Sequence, residues 1–205
     1  MGQLSRVVEK HSNNSDKNGS DAWEILACEE VGSWLPWFKV YQDHVRLPNG
    51  VEISDFMRID MINYVQIFAV TKDHHVGVVE QYRHGPGMMT IELPAGAMDS
   101  DDDDEAPLET AKRELMEETG MVAANWRFLG KYYIDSNRGC GWMYAYLATD
   151  AEQVQDAQPE ATEWLHPQFL PLAKVRQLWL DGTINSIGST ATIGLAFAHL
   201  DQIDS

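Results

Sequence analysis

The stretch RELMEETG, residues 113–120, constrains this chain most tightly. It holds Glu114, Glu117 and Glu118 within five residues. Like charges three and four apart on a helix repel by a few tenths of a kcal/mol. The segment Pro107 to Thr119 nevertheless reads as a helix. Asp104 or Glu105 is available as a cap, Pro107 suits the first turn and Gly120 suits the end. On a wheel of about 100° per residue, Leu108, Ala111, Leu115 and Thr119 form one stripe to be buried. Glu114 and Glu118 share one flank, while Arg113 and Glu117 share the other and can pair at i,i+4. On this reading Glu114 and Glu118 have no basic partner on their own flank. The arrangement is either a solvated acidic face or part of a divalent-cation site. Mg²⁺ accepts a few carboxylates and fills its remaining positions with water and substrate phosphate oxygens.

Upstream, ELPAG (92–96) ends a short strand over Met89 to Leu93 in a tight turn at Pro94-Ala95-Gly96. Such a turn can aim the Ala95 carbonyl at the helix as a further hard oxygen ligand. The rest of the chain alternates like strands. From Ser33, SWLPWFKVYQDHVRLPNGVEISDF reads as strands about a turn at Pro48-Asn49-Gly50. YVQIFAVTKDHHVGVVEQYR, 64–83, reads as two strands about Lys72-Asp73-His74. WRFLGKYYID and GWMYAYLAT flank Asn137-Arg138-Gly139. PLAKVRQLWLDG and SIGSTATIGLAFAHL read as helices. Strands interleaved with three helices predict a mixed sheet covered by helices. The expected division is a polar, mobile tail over 1–24, a small antiparallel β unit over 25–60, and the main domain over 61–205.

Fifteen basic against thirty-two acidic residues give a net charge of −17. That balance argues against a nucleic-acid polymer or an anionic membrane as partner. A small anionic substrate is compatible if a cation mediates. No apolar run reaches the ~18 residues of a membrane span, and the first twenty residues lack the apolar core of a signal peptide. The expected location is the cytoplasm, with Cys28 and Cys140 as reduced thiols.

The stretch ELPAGAMDSDDDDEAPLETAKRELMEETGM resembles the signature box of the Nudix hydrolases. From Glu105 the match is complete, with seven residues to Arg113 and then RELMEETGM. Between Gly96 and Glu105 lie eight residues where the family has five, so the acidic run 99–105 holds three extra. VRLPNG (45–50), EQYRHG (80–85), ELPAG and the tail motif PL…LDGTINSIGST (171–190) resemble the ADP-ribose pyrophosphatase branch. The proline-containing loop that this branch often carries after the box has no counterpart in YYIDSNRGCGW, which leaves the nucleotide open.

The resemblance implies an α+β fold: a Nudix-type α/β/α sandwich with a mixed sheet, plus the small N-terminal antiparallel β unit. It also implies a homodimer whose N-terminal units help build the site. The implied reaction is Mg²⁺- or Mn²⁺-dependent hydrolysis of the pyrophosphate bond in a nucleoside diphosphate linked to another group. ADP-ribose or a related nucleotide sugar is the implied substrate. A different Nudix substrate, such as a dinucleoside polyphosphate or NADH, and a non-catalytic sensor of nucleotide sugars are the alternatives.

Glu114, Glu118 and the Ala95 carbonyl are the expected metal ligands, while Glu117 either ligates or is held by Arg113. The expected base lies in the late loop DAQPEATEWLHP, at Glu163 or Glu160, with Glu117 as the candidate within the box. Arg83 is expected on the substrate's phosphate or ribose, as its planar fork suits. Glu92 either supports Arg83 or meets substrate. Arg138 either reaches a terminal phosphate or sugar, or simply completes a turn.

Overall fold

A computed structural model describes residues 21–98 and 107–203. The acidic run 99–105 and the cap candidates Asp104 and Glu105 lie outside the described residues, as do residues 1–20 of the tail. The chain divides into two compact units. One comprises residues up to Met61 together with Asp135–Cys140, and the other comprises Ile62–Ile134 and everything from Gly141 onwards.

The first unit is an antiparallel meander of β1 (Glu24–Trp34), β2 (Phe38–Arg46) and β3 (Glu52–Met61). The Pro48-Asn49-Gly50 turn forms as its residues require. Gly50 adopts φ +84°, its N–H donates to the Leu47 carbonyl at 2.9 Å, and the Asn49 side chain accepts the Val51 N–H at 3.1 Å. Strand β1 begins at Glu24, well before Ser33, where the sequence pattern signals a strand. No residue of β1 is buried, so there is no apolar alternation for a reader to detect. The 135–140 tip joins this unit through Ile59, whose N–H donates to the Arg138 carbonyl at 2.8 Å.

The second unit is built on β4 (Tyr64–Thr71) and β5 (His75–Arg83), the antiparallel pair expected about Lys72-Asp73-His74. β9 (Gly139–Gln153) runs parallel to β4, and β10 (Leu165–Pro171) runs antiparallel to β5. The sheet order is β9-β4-β5-β10, with β6 (Met88–Glu92) on β5 and β8 (Met121–Asp135) on β9. The expected tight turn at Pro94-Ala95-Gly96 is instead a crossover. The chain leaves β5 after Glu92 and pairs with β4 as β7 (Ala95–Ala97). The late loop is also shorter than expected, because β10 starts at Leu165.

Both faces of this sheet are covered, which makes β4 nearly all apolar. Val65, Ile67 and Ala69 face the layer of α1 (Pro107–Thr119) with its Ala111 and Leu115. Phe68 and Val70 face α2 (Leu172–Leu180) and α3 (Ile187–Ile203), with Val175, Ile193 and Phe197. Phe68 and Phe197 meet edge to face at 5.7 Å. The two-residue alternation of one strand thus serves two helical layers, giving the α/β/α sandwich with a mixed sheet.

Candidate active site

Helix α1 carries the acidic motif against the sheet. Ala111, Leu115 and Thr119 are fully buried, and Leu108 packs partly buried beside them, on the stripe predicted. Gly120 ends the helix at φ +70°, its N–H donating to the Met116 carbonyl at 2.8 Å. Glu114 and Glu118 flank the stripe closely enough to be buried with it, at 6% and 2% exposure. Isolated ionised carboxylates are costly to desolvate. Burial pushes the Glu114 carboxyl up to about 7, partly offset by Arg113, and the Glu118 carboxyl up to about 8, partly offset by the Ala95 N–H.

β7 meets these carboxylates directly. The Ala95 N–H donates to Glu118 Oε2 at 2.9 Å. A Cβ on Gly96 would fall on the Glu114 carboxyl group, so only glycine leaves the space that group occupies. Arg113 donates to Glu117 Oε2 at 2.8 Å, the i,i+4 pair expected. It also lies 2.8 Å from Glu114 Oε1. Glu114 therefore does have a basic partner, contrary to the helical wheel, because Glu114 and Glu117 are i,i+3 neighbours and one guanidinium nitrogen of Arg113 reaches both.

The loop after β9 returns to this helix. The Val154 N–H donates to the Gly120 carbonyl at 2.9 Å, and the Gln158 N–H to the Glu117 carbonyl at 2.7 Å. Glu163 is half-buried, and its charge contributes to raising the carboxyls of both Glu114 and Glu118. Glu160 is exposed. Its N–H donates to Glu163 Oε2 at 3.2 Å and its carbonyl accepts the Glu163 N–H at 2.9 Å. The loop thus brings the charge of Glu163 within electrostatic reach of the acidic pair, while Glu160 contributes backbone groups that hold the turn.

A NUDIX domain model matches residues 63–185, more than half of the chain. The chain belongs to the Nudix family. It is 31% identical to an ADP-ribose pyrophosphatase of Mycobacterium tuberculosis, over 79% of this chain and 76% of that protein. It is 33% identical to a CMP-5'-(N-acetyl-N-hydroxy-3-aminopropyl)phosphonate hydrolase of Streptomyces rubellomurinus, over 76% and 75%. A solved ADP compounds hydrolase shares the Nudix fold at a TM-score of 0.77 and 23% identity, over 91% of this chain and 98% of that one.

Beside the Nudix helix, Arg83 at the end of β5 and buried Glu92 at the end of β6 form an ion pair. Arg83 donates to Glu92 Oε2 at 2.7 Å from one terminal nitrogen and at 3.2 Å from Nε. They line a cleft of about 300 Å³ with Tyr64, Ala95, Gly96 and Ser186. Sequence reading missed Tyr64 and Ser186, whose only signal was the LDGTINSIGST resemblance for the latter. A roomier depression of about 500 Å³ lies beside Lys72, Val122 and Glu152. None of the site residues expected from sequence lines it. Arg138 belongs to the first unit, where it donates to the Met57 carbonyl at 2.9 Å and lies over Phe56 at 5.2 Å.

Nudix hydrolases generally work with a divalent metal such as Mg²⁺. Among the described residues no three His, Cys, Asp or Glu side chains form a ready-made metal cage. The Glu114–Glu118 pair nevertheless fits such an ion. Both are hard oxygen donors, both carboxylates are desolvated without full neutralisation, and the Glu114 carboxyl group is seated against Gly96.

Proposed function

We propose that this Nudix pyrophosphohydrolase hydrolyses the pyrophosphate bond of a nucleoside diphosphate linked to another group, with Mg²⁺ or Mn²⁺. ADP-ribose or a related nucleotide sugar is the favoured substrate. The observation that carries the reading is the pair of buried carboxylates, Glu114 and Glu118, braced against Ala95 and Gly96. The Mycobacterium relative's activity on ADP-ribose, at 31% identity, supports the substrate.

In this reading Glu114, Glu118 and the Ala95 carbonyl hold the cation, and Arg113 keeps Glu117 and Glu114 oriented. A cation held there would supply neutralisation of phosphate charge and a lowered pKa for a nearby water. Glu163 would accept a proton from the attacking water as the water oxygen bonds to phosphorus and the bridging P–O bond breaks. The products are two phosphomonoesters, one of them a nucleoside monophosphate. Arg83, steadied by Glu92, binds the anionic substrate through its fork. Glu160 shapes the loop around Glu163.

A second reading is favoured by the Streptomyces relative, which acts on a CMP-phosphonate conjugate at 33% identity. A panel decides between them. Purified protein with Mg²⁺ is given ADP-ribose, other nucleotide sugars, a dinucleoside polyphosphate, NADH and a CMP-phosphonate ester, and nucleoside monophosphate release is measured. ADP-ribose turnover dependent on the metal is expected. Binding without turnover of any compound would leave a sensor and sink the enzyme reading.

We further propose a cytoplasmic homodimer. Trp34, Leu35 and Trp37 are 55%, 69% and 64% exposed on the first unit, an apolar surface of the kind that partners cover. Both cysteines are free thiols, and no helix among the described residues is long and apolar enough to cross a membrane. Sedimentation should report about twice 23.2 kDa.

A further inference from the structure

The crossover between β6 and β7 poses a hydrogen-bonding problem that two distant side chains solve. β6 pairs with β5 as far as Glu92↔Val79, and β7 pairs with β4 from Ala95↔Gln66. Leu93 and Pro94 pass from one strand to the other. Leu93 is 1% exposed, so its N–H and C=O leave water with no ladder partner. A buried backbone group left unpaired forfeits its hydration with nothing in return. Pro94 has no N–H, and its carbonyl accepts the Ile67 N–H at 2.9 Å.

Leu93 is satisfied from β4 and α3. Ser189 Oγ accepts the Leu93 N–H at 3.0 Å. Gln66 Nε2 donates to the Leu93 carbonyl at 2.8 Å and lies 3.4 Å from the Pro94 carbonyl. Gln66 Nε2 also lies 3.3 Å from Ser189 Oγ, and Ser186 Oγ donates to Ser189 Oγ at 3.2 Å. Gln66 and Ser189 are 3% and 0% exposed. Gly188 allows this approach of α3 to β4, because a Cβ there would come 2.7 Å from Gln66 Oε1. Two and three residues beyond Leu93, the Ala95 N–H holds Glu118 and Gly96 lies against Glu114.

We infer that Gln66 and Ser189 are positioning residues of the hydrolytic site. They fix the path of the crossover, and the crossover fixes where Ala95 and Gly96 meet the two carboxylates. Gln66 also borders the cleft of Arg83 and Glu92, whereas Ser189 does not, and the effect inferred for both passes through residues 93–96. The inference rests on the metal reading of Glu114 and Glu118 proposed above.

The test measures Mn²⁺ binding by electron paramagnetic resonance of the free ion. Amide hydrogen exchange over 93–97 and kcat and KM with the best substrate complete it. Gln66→Met and Ser189→Ala should each weaken Mn²⁺ binding about tenfold or more, speed exchange over 93–97, and lower kcat with little change in KM. Ser189→Thr keeps the oxygen and should recover binding relative to Ser189→Ala. Thr192→Val is the control: Thr192 is 0% exposed on the next turn of α3, and its hydroxyl has no hydrogen-bond partner among the described residues. It should leave all three readouts unchanged. If Ser189→Ala does not fold, Gln66→Met and the milder Ser186→Ala carry the same comparison. Wild-type Mn²⁺ affinity and kcat in the folded variants overturn the inference, provided that Glu118→Gln loses the ion. Should Glu118→Gln also bind Mn²⁺ normally, the metal reading itself has failed, and the inference falls with it.

Discussion

Glu118 sits at 2% exposure on a packed helix, whereas Glu163 is half-buried on a loop with no regular structure between β9 and β10. The helix glutamates are over-determined: Leu115 and Ala111 anchor the backbone, Ala95 donates to Glu118, and Gly96 makes room for Glu114. The loop glutamate is held by a turn at Glu160 and by the tether from Gln158 to the end of α1. A ligand set for a cation benefits from rigidity, because its geometry must exist before the ion arrives. A base must meet its proton only in the transition state and tolerates a looser mount. The contrast is the one that the proposed division, cation binding on the helix and proton transfer on the loop, requires.

The largest expected effect is Glu118→Gln. The amide keeps the shape and removes the charge, so metal-dependent turnover should fall at least about 10²-fold and Mn²⁺ affinity should fall with it. Unchanged Mn²⁺ affinity would break the helix side of the contrast. Gly96→Ala should come close behind without touching an acid. Its Cβ would displace the Glu114 carboxyl group, and a misplacement of about 1 Å costs on the order of 10²-fold in rate.

Glu163→Gln should lower kcat by about 10²–10⁴-fold while leaving Mn²⁺ affinity close to wild type. Glu160→Gln keeps the backbone groups that form the turn and should stay near wild type. Normal kcat in both, and in the double variant, would move the base to Glu117.

The smallest effect is on stability. The carboxyls of Glu114 and Glu118 are raised from the ordinary 4.5 to about 7 and about 8, mainly by burial. Between about pH 4.5 and 8 the folded state therefore holds more protons than the unfolded chain, and stability falls as pH rises. Calorimetry of protein in chelator should show Tm declining across that window. The Glu114→Gln, Glu118→Gln double variant should flatten the decline, and so should Mn²⁺ with the wild type. A slope unaltered by the double variant would refute the burial argument.

Local pattern determined a good deal by itself. The apolar stripe of α1, the i,i+4 pair of Arg113 and Glu117, the Gly120 end and the Asn49-Gly50 turn all follow from interactions within a few residues, so short-range spacing encodes them. The resemblance of RELMEETG and ELPAG brought the family with it. Tertiary structure decided the rest. Strand β1 carries no apolar alternation because none of its residues is buried, so no periodicity betrayed it. The crossover at Leu93–Pro94 looked like a turn, because pairing with β4 is a contact between segments far apart in the chain. The reach of Arg113 to Glu114 depends on one guanidinium nitrogen meeting both Glu114 and Glu117, which a helical wheel does not show. The burial of Glu114 and Glu118 depends on how closely β7 approaches α1. Gln66 and Ser189 lie 123 residues apart, and only the packing of α3 on β4 brings an amide and a hydroxyl to the same buried peptide.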